Sequence, residues 1–395
     1  MIRRLLNIPK NKSFFLFGPR GTGKTTLIEQ VYLPAYPPDQ VWSLTLLDPD
    51  IEEAYRRRPA LLKEHIEAMQ PRPALVFIDE VQKIPQLLDV VHFLIEKYKI
   101  TFALTGSSAR KLKRGGANLL AGRAFEFKLH PLMQVELRED FSLASALEWG
   151  TLPGVIAQPD AENKARFLRA YVQTYLREEI VLEQIVRQVD GFRQFLEVAA
   201  QTNGKILNYA KIARDAAIDD KTVARFFEIA RDTLIGFYLE PFSRSVRKRQ
   251  AQKPKFYFFD TGVVRAITKE LTVPLLPQSY AFGNAFEHWL ILEVIRLNDY
   301  LERDYTLSYL RTKDDLEIDL IIQRPGLPEI LVEIKSTERV DLDDLRHLRA
   351  VAPDFPEAEK IVLCREPMAR KVDDILILPW QEGLQAIFAR ETRLG

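Results

Sequence analysis

The sequence predicts an α/β protein built from three successive parts. Strand-like apolar runs alternate with helical stretches over the first 140 residues, and helical periodicity dominates from there to about residue 270. Near the end of the chain, two stretches of alternating polar and apolar residues flank a turn at Pro325-Gly326. We therefore predict a parallel-sheet domain at 1–140, a mainly helical region at 141–270 and a second α/β domain at 271–395.

Composition limits the classes of function that the chain can have. A chain of 395 residues exceeds what one hydrophobic core usually serves, and a net charge of +1 means that any nucleic-acid surface must be a local patch. The single cysteine, Cys364, excludes an internal disulfide, and five scattered histidines argue against a zinc site. The first residues show no long apolar core or cleavage site, so we expect no signal peptide, and no apolar run approaches the roughly 18 residues of a membrane span. We expect a cytoplasmic protein that does not contact a membrane.

Residues 13–30 combine a strand, a glycine-rich loop and the start of a helix. The loop contains the pattern G-x-x-x-x-G-K-[ST] in full. Its glycines let backbone N–H groups close around phosphate oxygens, while Lys24 reaches the outer phosphates and Thr25 binds Mg²⁺. The predicted nucleotide-binding residues of this P-loop are Gly18, Pro19, Arg20, Gly21, Thr22, Gly23, Lys24, Thr25 and Thr26.

The stretch "ALVFIDEVQKIP" supplies the acids that a P-loop site requires. Leu75 to Ile78 predict a buried strand that ends in Asp79, which we expect to hold the Mg²⁺. Glu80 follows directly, and its carboxylate is predicted to take a proton from the water that attacks the γ-phosphate. The alternative is that Glu80 only caps the next element.

A third strand, "ITFALTGSS", ends in hydroxyl side chains that we expect beside these acids. Of these, Ser107 is predicted to orient the water or to sense the γ-phosphate, with an ordinary polar loop as the alternative. The stretch from Arg110 to Arg123 then holds five basic residues and no acid. Either it is a solvated loop, or Arg123 or Arg110 reaches a γ-phosphate in its own or a neighbouring subunit. The second alternative predicts a homo-oligomer, for which a ring is one arrangement.

Together "FFLFGPRGTGKTTL", "LVFIDEVQKIP", "LTGSSARKL" and "LAGRAFEFKLHPL" resemble the prokaryotic AAA-type ATPases that carry a C-terminal domain of unknown function. The resemblance covers nearly the whole chain. It implies an ATPase of the additional-strand, catalytic-glutamate class with ATP and Mg²⁺ as its cofactors. It also implies that the nucleotide site is formed by Lys24, Thr25, Asp79, Glu80 and a polar residue near Ser107.

The helical middle region contains a stretch with the spacing of a helix-turn-helix. We predict helices at Leu207–Ala217 and from Lys221 to about Ile235, with Asp219-Asp220 as the N-cap of the second. Strands on either side of "RSVRKRQAQKPK" would complete a winged helix, and helices before residue 202 would form a lid over the nucleotide. This module either contacts DNA, without sequence preference or by DNA structure, or binds a protein. The DNA-binding candidates are Lys221, Arg225, Arg244, Arg247, Lys248 and Arg249.

The hairpin "LEIDLIIQRPGLPEILVEIK" places charged residues on one face, with Asp319 and Glu333 side by side. Either this face is solvated, or a divalent metal such as Mg²⁺ cancels the repulsion between its carboxylates. A preceding helix carries Glu287 on an apolar face. The order Glu287, Asp319, Glu333-x-Lys335 resembles the core of the PD-(D/E)xK nuclease superfamily, which implies a metal site at the three carboxylates and a water-activating role that includes Lys335.

Two functions from different classes follow from these patterns. In the first, an ATPase drives a winged-helix and nuclease-like unit on DNA, with nuclease activity as an open question. In the second, the chain is a nucleotide-dependent switch in signalling or defence whose C-terminal domains bind proteins and whose nuclease-like site is inactive.

Overall fold

The computed structural model describes residues 2–107, 109, 110, 112, 120, 122–176, 189–244 and 252–389. Its first sheet has the strand order β2-β3-β4-β1-β5, and every neighbouring pair is parallel. Because β4 lies between β1 and β3, the sheet has the additional strand that the resemblance implied. The strands are β1 (Ser13–Phe17), β2 (Val41–Thr45), β3 (Leu75–Asp79), β4 (Thr101–Gly106) and β5 (Ala124–Lys128).

Both faces of this sheet are covered, as the continuous apolar sequences of β1 and β3 require. One face, which includes Phe15 and Val76, packs in a core with residues of the helices that follow β2 and β3. The opposite face, which includes Phe14, faces the C-terminal half of the chain. The helices of this part are α1 (Lys24–Leu27), α2 (Pro49–Arg57), α3 (Leu61–Ala68) and α4 (Leu87–Tyr98).

The described parts of 134–232 are mainly helical and have their own aromatic core, in which Phe195 packs edge-on against Phe226 and Phe227. The predicted helix pair is present, and Asp219 caps the second helix by accepting from Thr222 N at 2.9 Å. The helices are α5 (Gln134–Leu137), α6 (Leu143–Trp149), α7 (Pro153–Ile156), α8 (Ala161–Ala170), α9 (Val189–Gln201), α10 (Tyr209–Asp215), α11 (Asp220–Asp232) and α12 (Thr261–Ile267).

A second sheet of eight strands crosses the predicted domain boundary at residue 270. The hairpin of β6 (Gly236–Pro241) and β7 (Lys255–Phe258) follows α11, and β6 pairs in parallel with β8 through Glu240–Ser308 and Pro241–Tyr309. The strand order is β12-β13-β11-β10-β9-β8-β6-β7. The remaining strands are β8 (Thr306–Arg311), β9 (Glu317–Gln323), β10 (Ile330–Ile334), β11 (Glu359–Cys364), β12 (Arg370–Val372) and β13 (Ile375–Pro379).

One long helix, α13 (Tyr280–Tyr300), lies between the two sheets. Its apolar side chains share a core with Phe14 of the first sheet and Val332 of the second, and so the helix is buried on nearly every side. The buried Glu293–Arg296 ion pair of α13 also connects this helix to the middle region, because the Arg296 guanidinium donates to the Phe259 carbonyl at 3.0 Å. Two further helices are α14 (Arg346–Val351) and α15 (Trp380–Phe388). Within the described ranges, none of the helices combines the length and apolarity that crossing a bilayer would demand.

Candidate functional site

The P-loop runs from the carboxyl end of β1 into α1. Gly21 and Gly23 have φ angles of 79° and 91°, a left-handed conformation that glycine adopts without strain. Gly18 is needed for a different reason, since a Cβ there would lie 2.3 Å from the Leu129 carbonyl oxygen. The glycines found in the sequence are therefore those that the loop geometry demands.

Lys24 is buried within this loop. Its ammonium donates to the carbonyls of Gly18 at 2.8 Å and Pro19 at 3.2 Å. The side chain is thus folded back over the loop, which places the charge where it can meet a phosphate bound by the loop amides.

Asp79 lies at the carboxyl end of β3 and is buried. The Thr25 hydroxyl is 3.2 and 3.1 Å from its two carboxylate oxygens, and the Thr105 hydroxyl also donates to it. A hydroxyl and a carboxylate are the hard oxygen ligands that Mg²⁺ prefers, so the pair fits the ion. Thr25 and Asp79 are the residues that would hold it. Thr105 is one of the hydroxyl residues at the end of β4 that were expected beside these acids, although Ser107 was the one given a role.

Glu80 has a φ of 61°, a left-handed backbone that residues other than glycine seldom adopt and that clusters at functional sites. The buried amide of Gln82 donates to the Glu80 carboxylate at 2.5 Å and lies 3.3 Å from the Ser107 hydroxyl. Gln82 thereby joins the two residues predicted from the sequence, Glu80 and Ser107, into one hydrogen-bonded group. Sequence reasoning missed Gln82. The available signal was a polar residue two positions after Glu80 in "DEVQ", and its burial is evident only in the fold.

The P-loop backbone is also held from outside its own sheet. The Tyr171 hydroxyl, at the end of α8, donates to the Arg20 carbonyl at 2.8 Å, and Arg4 donates to the Thr22 carbonyl at 2.9 Å. The Arg4 guanidinium also reaches the Tyr300 hydroxyl of α13 at 3.0 Å. The predicted lid therefore touches the P-loop through Tyr171, while a lid that covers the nucleotide stays a prediction.

The two candidate arginine fingers lie in different environments. Arg110 is buried and forms an ion pair with Asp232 at the end of α11. The interpretation of Arg110 as a residue that reaches a phosphate is therefore not supported, because its guanidinium holds α11 against the first domain. Arg123 immediately precedes β5 and pairs with Glu96 near the end of α4, and its side chain is 37% exposed.

The predicted DNA-binding residues are only partly described. Lys221 and Arg225 are exposed on α11, and Arg244 packs over the Phe355 ring and donates to the Asp354 carbonyl at 3.2 Å. Arg247, Lys248 and Arg249 lie outside the described residues. Lys255, which was counted with this basic stretch, is 3% exposed and belongs to a different site.

That second site lies around the hairpin of β9 and β10. The register pairs Val332 with Leu320, so Glu333 is next to Asp319, as predicted. Glu333 is only 2% exposed, and one of its oxygens has no hydrogen-bond partner among the described residues; a solvated face therefore does not describe this carboxylate. Burial raises the pKa of Asp319 well above its ordinary value, and the nearby Glu333 and Glu287 carboxylates raise it further.

The other charges at this site are paired. The Lys335 ammonium donates to Glu333 at 3.0 Å, and the Tyr257 hydroxyl donates to Glu287 at 2.7 Å. Lys255 lies 2.5 Å from a Glu317 oxygen and 3.6 Å from a Glu287 oxygen. Burial acts to lower the pKa of Lys255, but these carboxylates outweigh it and raise the pKa above its ordinary value.

The fit of a metal to this site is mixed. Across the parts of the chain that the structure describes, no three His, Cys, Asp or Glu residues converge with the geometry of a metal site. The unpartnered oxygen of Glu333 beside Asp319 nevertheless supplies the hard donors that a divalent cation takes. Sequence reasoning missed Lys255 and Tyr257, both of β7, because only the folded chain brings them to Glu287.

Comparison with known proteins assigns families to segments of the chain. Residues 10–138 match a family described as an AAA domain. Residues 140–272 and 282–382 match two families described as domains of unknown function, DUF8612 and DUF4143.

Two similar proteins span most of the chain. An uncharacterized protein of Mycobacterium tuberculosis is 27% identical over 373 residues, covering 91% of this chain and 80% of the relative. An uncharacterized protein of Methanocaldococcus jannaschii is 22% identical over 426 residues, covering 96% and 85%. Both relatives are described as uncharacterized, so neither indicates a function.

Among solved structures, the chain has a distant likeness to the replication initiator DnaA bound to AMPPCP and single-stranded DNA. The identity is 16%, the coverage 55% of this chain and 81% of that one, and the TM-score 0.29. The Aeropyrum pernix ORC1 protein in complex with DNA is 11% identical, with 67% and 89% coverage and the same TM-score of 0.29. Similarity at this level carries no inference about this chain. The family match and the five-stranded parallel sheet with its P-loop instead establish that residues 10–138 form a P-loop domain of the AAA type.

Proposed function

We propose that the chain hydrolyses ATP with the help of Mg²⁺. The observation that carries this proposal is the convergence of the P-loop lysine, the Thr25–Asp79 pair and the Gln82-bound Glu80 at the carboxyl edge of one parallel sheet. A bare glycine-rich turn would not require a buried aspartate and a second acid beside it. The whole set matches the parts that phosphoryl transfer to water needs.

Each residue has a distinct task in this reaction. The P-loop amides and Lys24 bind the β- and γ-phosphates, and the Thr25 hydroxyl and Asp79 hold the metal. When held there by Thr25 and Asp79, Mg²⁺ would supply charge neutralisation at the phosphate oxygens. Glu80 accepts the proton of the attacking water, and Gln82 orients the Glu80 carboxylate. Ser107, which lies within reach of Gln82, orients the water or senses the γ-phosphate.

Lys24→Ala is expected to weaken nucleotide binding by about tenfold or more, because one charge-assisted contact is worth about 1.5–3 kcal/mol. Titration with a fluorescent ATP analogue measures the affinity. Lys12→Ala is the matched control and is expected to leave the affinity unchanged, since Lys12 is exposed just before β1, at the end opposite the P-loop. Equal affinities for all three proteins would contradict the assignment of this loop.

We further propose that the α10–α11 helix pair and the β6–β7 hairpin form a winged helix that binds DNA. The exposed positions of Lys221 and Arg225 on α11 favour this role, and together with the basic stretch that follows β6 they supply charge for phosphate contacts. In the same proposal, Asp319 and Glu333 bind a divalent cation next to Lys335, with Glu287 as a further candidate ligand, which is the arrangement a nuclease would use. ATP turnover would then drive remodelling or processing of the bound DNA.

The DNA role is tested by binding to linear, forked and four-way duplexes over a range of salt concentrations. Log affinity is expected to fall linearly with log salt, and Lys221→Ala/Arg225→Ala is expected to reduce the magnitude of the slope by roughly 2. Lys10→Ala/Lys12→Ala removes the same charge from a surface of the first domain and is expected to leave the slope unchanged. Absence of binding at low salt would favour the other function, a nucleotide-dependent switch whose C-terminal domains bind proteins.

A further inference from the structure

Lys255 is a buried cation among the carboxylates of the second site. Its side chain is 3% exposed, reaches Glu317 and Glu287, and lies over the Tyr309 ring at 5.3 Å from the ring centre. The residue comes from β7, the second strand of the hairpin in the middle region, whereas the carboxylates come from α13 and β9. The ammonium therefore enters the site from a part of the chain separate from the strands and helix that build it.

Its contacts involve one carboxylate oxygen that a metal would need. Glu287 Oε1 accepts from the Tyr257 hydroxyl at 2.7 Å and also lies 3.6 Å from Lys255 Nζ. Both side chains belong to β7, so this one strand supplies two donors to the same carboxylate. Glu333, in contrast, keeps one buried oxygen without a hydrogen-bond partner among the described residues.

Charge balance distinguishes the two halves of this site. The half formed by Glu287 and Glu317 faces two cations, Lys255 and Arg311, and the Arg311 guanidinium lies 3.9 Å from a Glu317 oxygen. The half formed by Asp319 and Glu333 has Lys335 as its contacting ammonium, so one negative charge is left uncompensated when both carboxylates are ionised. Asp319 lies near enough to Lys255 to raise the pKa of its ammonium, so a divalent cation at Asp319 and Glu333 would lie close to Lys255, and the two positive charges would repel each other.

We propose that Lys255 is an internal counter-cation that competes with a divalent metal for the carboxylates of the second site. The proposal rests on the cation site put forward above. Lys255 withholds Glu287 from the metal, so the folded wild-type chain binds the ion through Asp319 and Glu333 with reduced affinity. Removal of the ammonium removes the repulsion and leaves Glu287 with a neutral donor, the Tyr257 hydroxyl, in place of a cation.

The test is Mn²⁺ calorimetry on the nucleotide-free full-length chain. Lys255→Met removes the charge while keeping an unbranched side chain, and it is expected to bind Mn²⁺ at least about tenfold more tightly than wild type. Lys253→Met is the matched control, because Lys253 is exposed two positions earlier in the hairpin segment and contacts the Tyr209 ring instead. Asp319→Ala/Glu333→Ala gives the background from any other site.

Each outcome is decisive. Equal Mn²⁺ affinity in wild type and Lys255→Met, lost in Asp319→Ala/Glu333→Ala, would overturn the role of Lys255 and leave the cation site standing. No binding above background in any protein would overturn both. Thermal melts report whether Lys255→Met folds, and Lys255→Gln, which keeps a donor for Glu317, carries the same expectation if it does not.

Discussion

Glu80→Gln is expected to lower ATP turnover by about 100-fold or more while ATP still binds. The amide has the shape of the carboxylate but cannot accept the proton of the attacking water. Lys24, Thr25 and Asp79, which are proposed to hold the phosphates and the metal, keep their contacts in this variant. Its amide oxygen can still accept from Gln82, so the loop after β3 has no reason to change its position.

Phosphate release measures the turnover, and titration with an ATP analogue measures the binding. Glu29→Gln makes the same chemical change at an exposed position in the helical turn that directly follows α1, and it is expected to leave both unchanged. Wild-type turnover in Glu80→Gln would reject Glu80 as the base and return it to the alternative of a residue that only caps the following turn.

Local patterns made the first site predictable. A P-loop is a continuous run of residues, and the acid pair follows directly on a buried strand, so "GPRGTGKTT" and "VFIDE" locate the site without knowledge of the fold. The helix pair α10–α11 was likewise predictable, because Asp219 caps α11 by accepting from the backbone of Thr222, three residues further along the chain. In each of these cases the pattern that determines the structure lies within a few consecutive residues of the sequence.

Contacts between distant strands were not predictable in the same way. Thr105 reaches Asp79 because β4 lies next to β3, and the sequence does not specify which of several hydroxyls at the end of β4 points there. Lys255 was grouped with the basic stretch before it, since neighbours in sequence share its charge. Its burial depends on β6 pairing with β8, a contact between the middle region and the C-terminal strands that no local pattern indicates.

The position of Arg123 limits how it could act. Arg123 precedes β5, which runs parallel to β1, and Ser13 pairs with Ala124 at the start of both strands. The P-loop follows the opposite end of β1, so the five residues of β5 place Arg123 roughly 16 Å from that edge at about 3.3 Å per residue. An extended arginine side chain does not span this distance around the edge of the sheet. If Arg123 is an arginine finger, as predicted, it must serve the nucleotide of a neighbouring subunit in a homo-oligomer.

Arg123→Ala is therefore expected to lower ATP turnover by about 1,000-fold or more, the usual effect of a missing arginine finger, with little change in ATP affinity. Glu96→Ala is the matched control, because it removes the ion-pair partner and leaves the guanidinium, and it is expected to keep turnover. Mixing Arg123→Ala with Glu80→Gln gives the decisive measurement. In a mixed oligomer the intact site of the first variant meets the intact arginine of the second, so turnover should recover although each protein alone is inactive. No recovery, together with a monomeric mass for Glu80→Gln in ATP by light scattering, would show that Arg123 does not act between subunits.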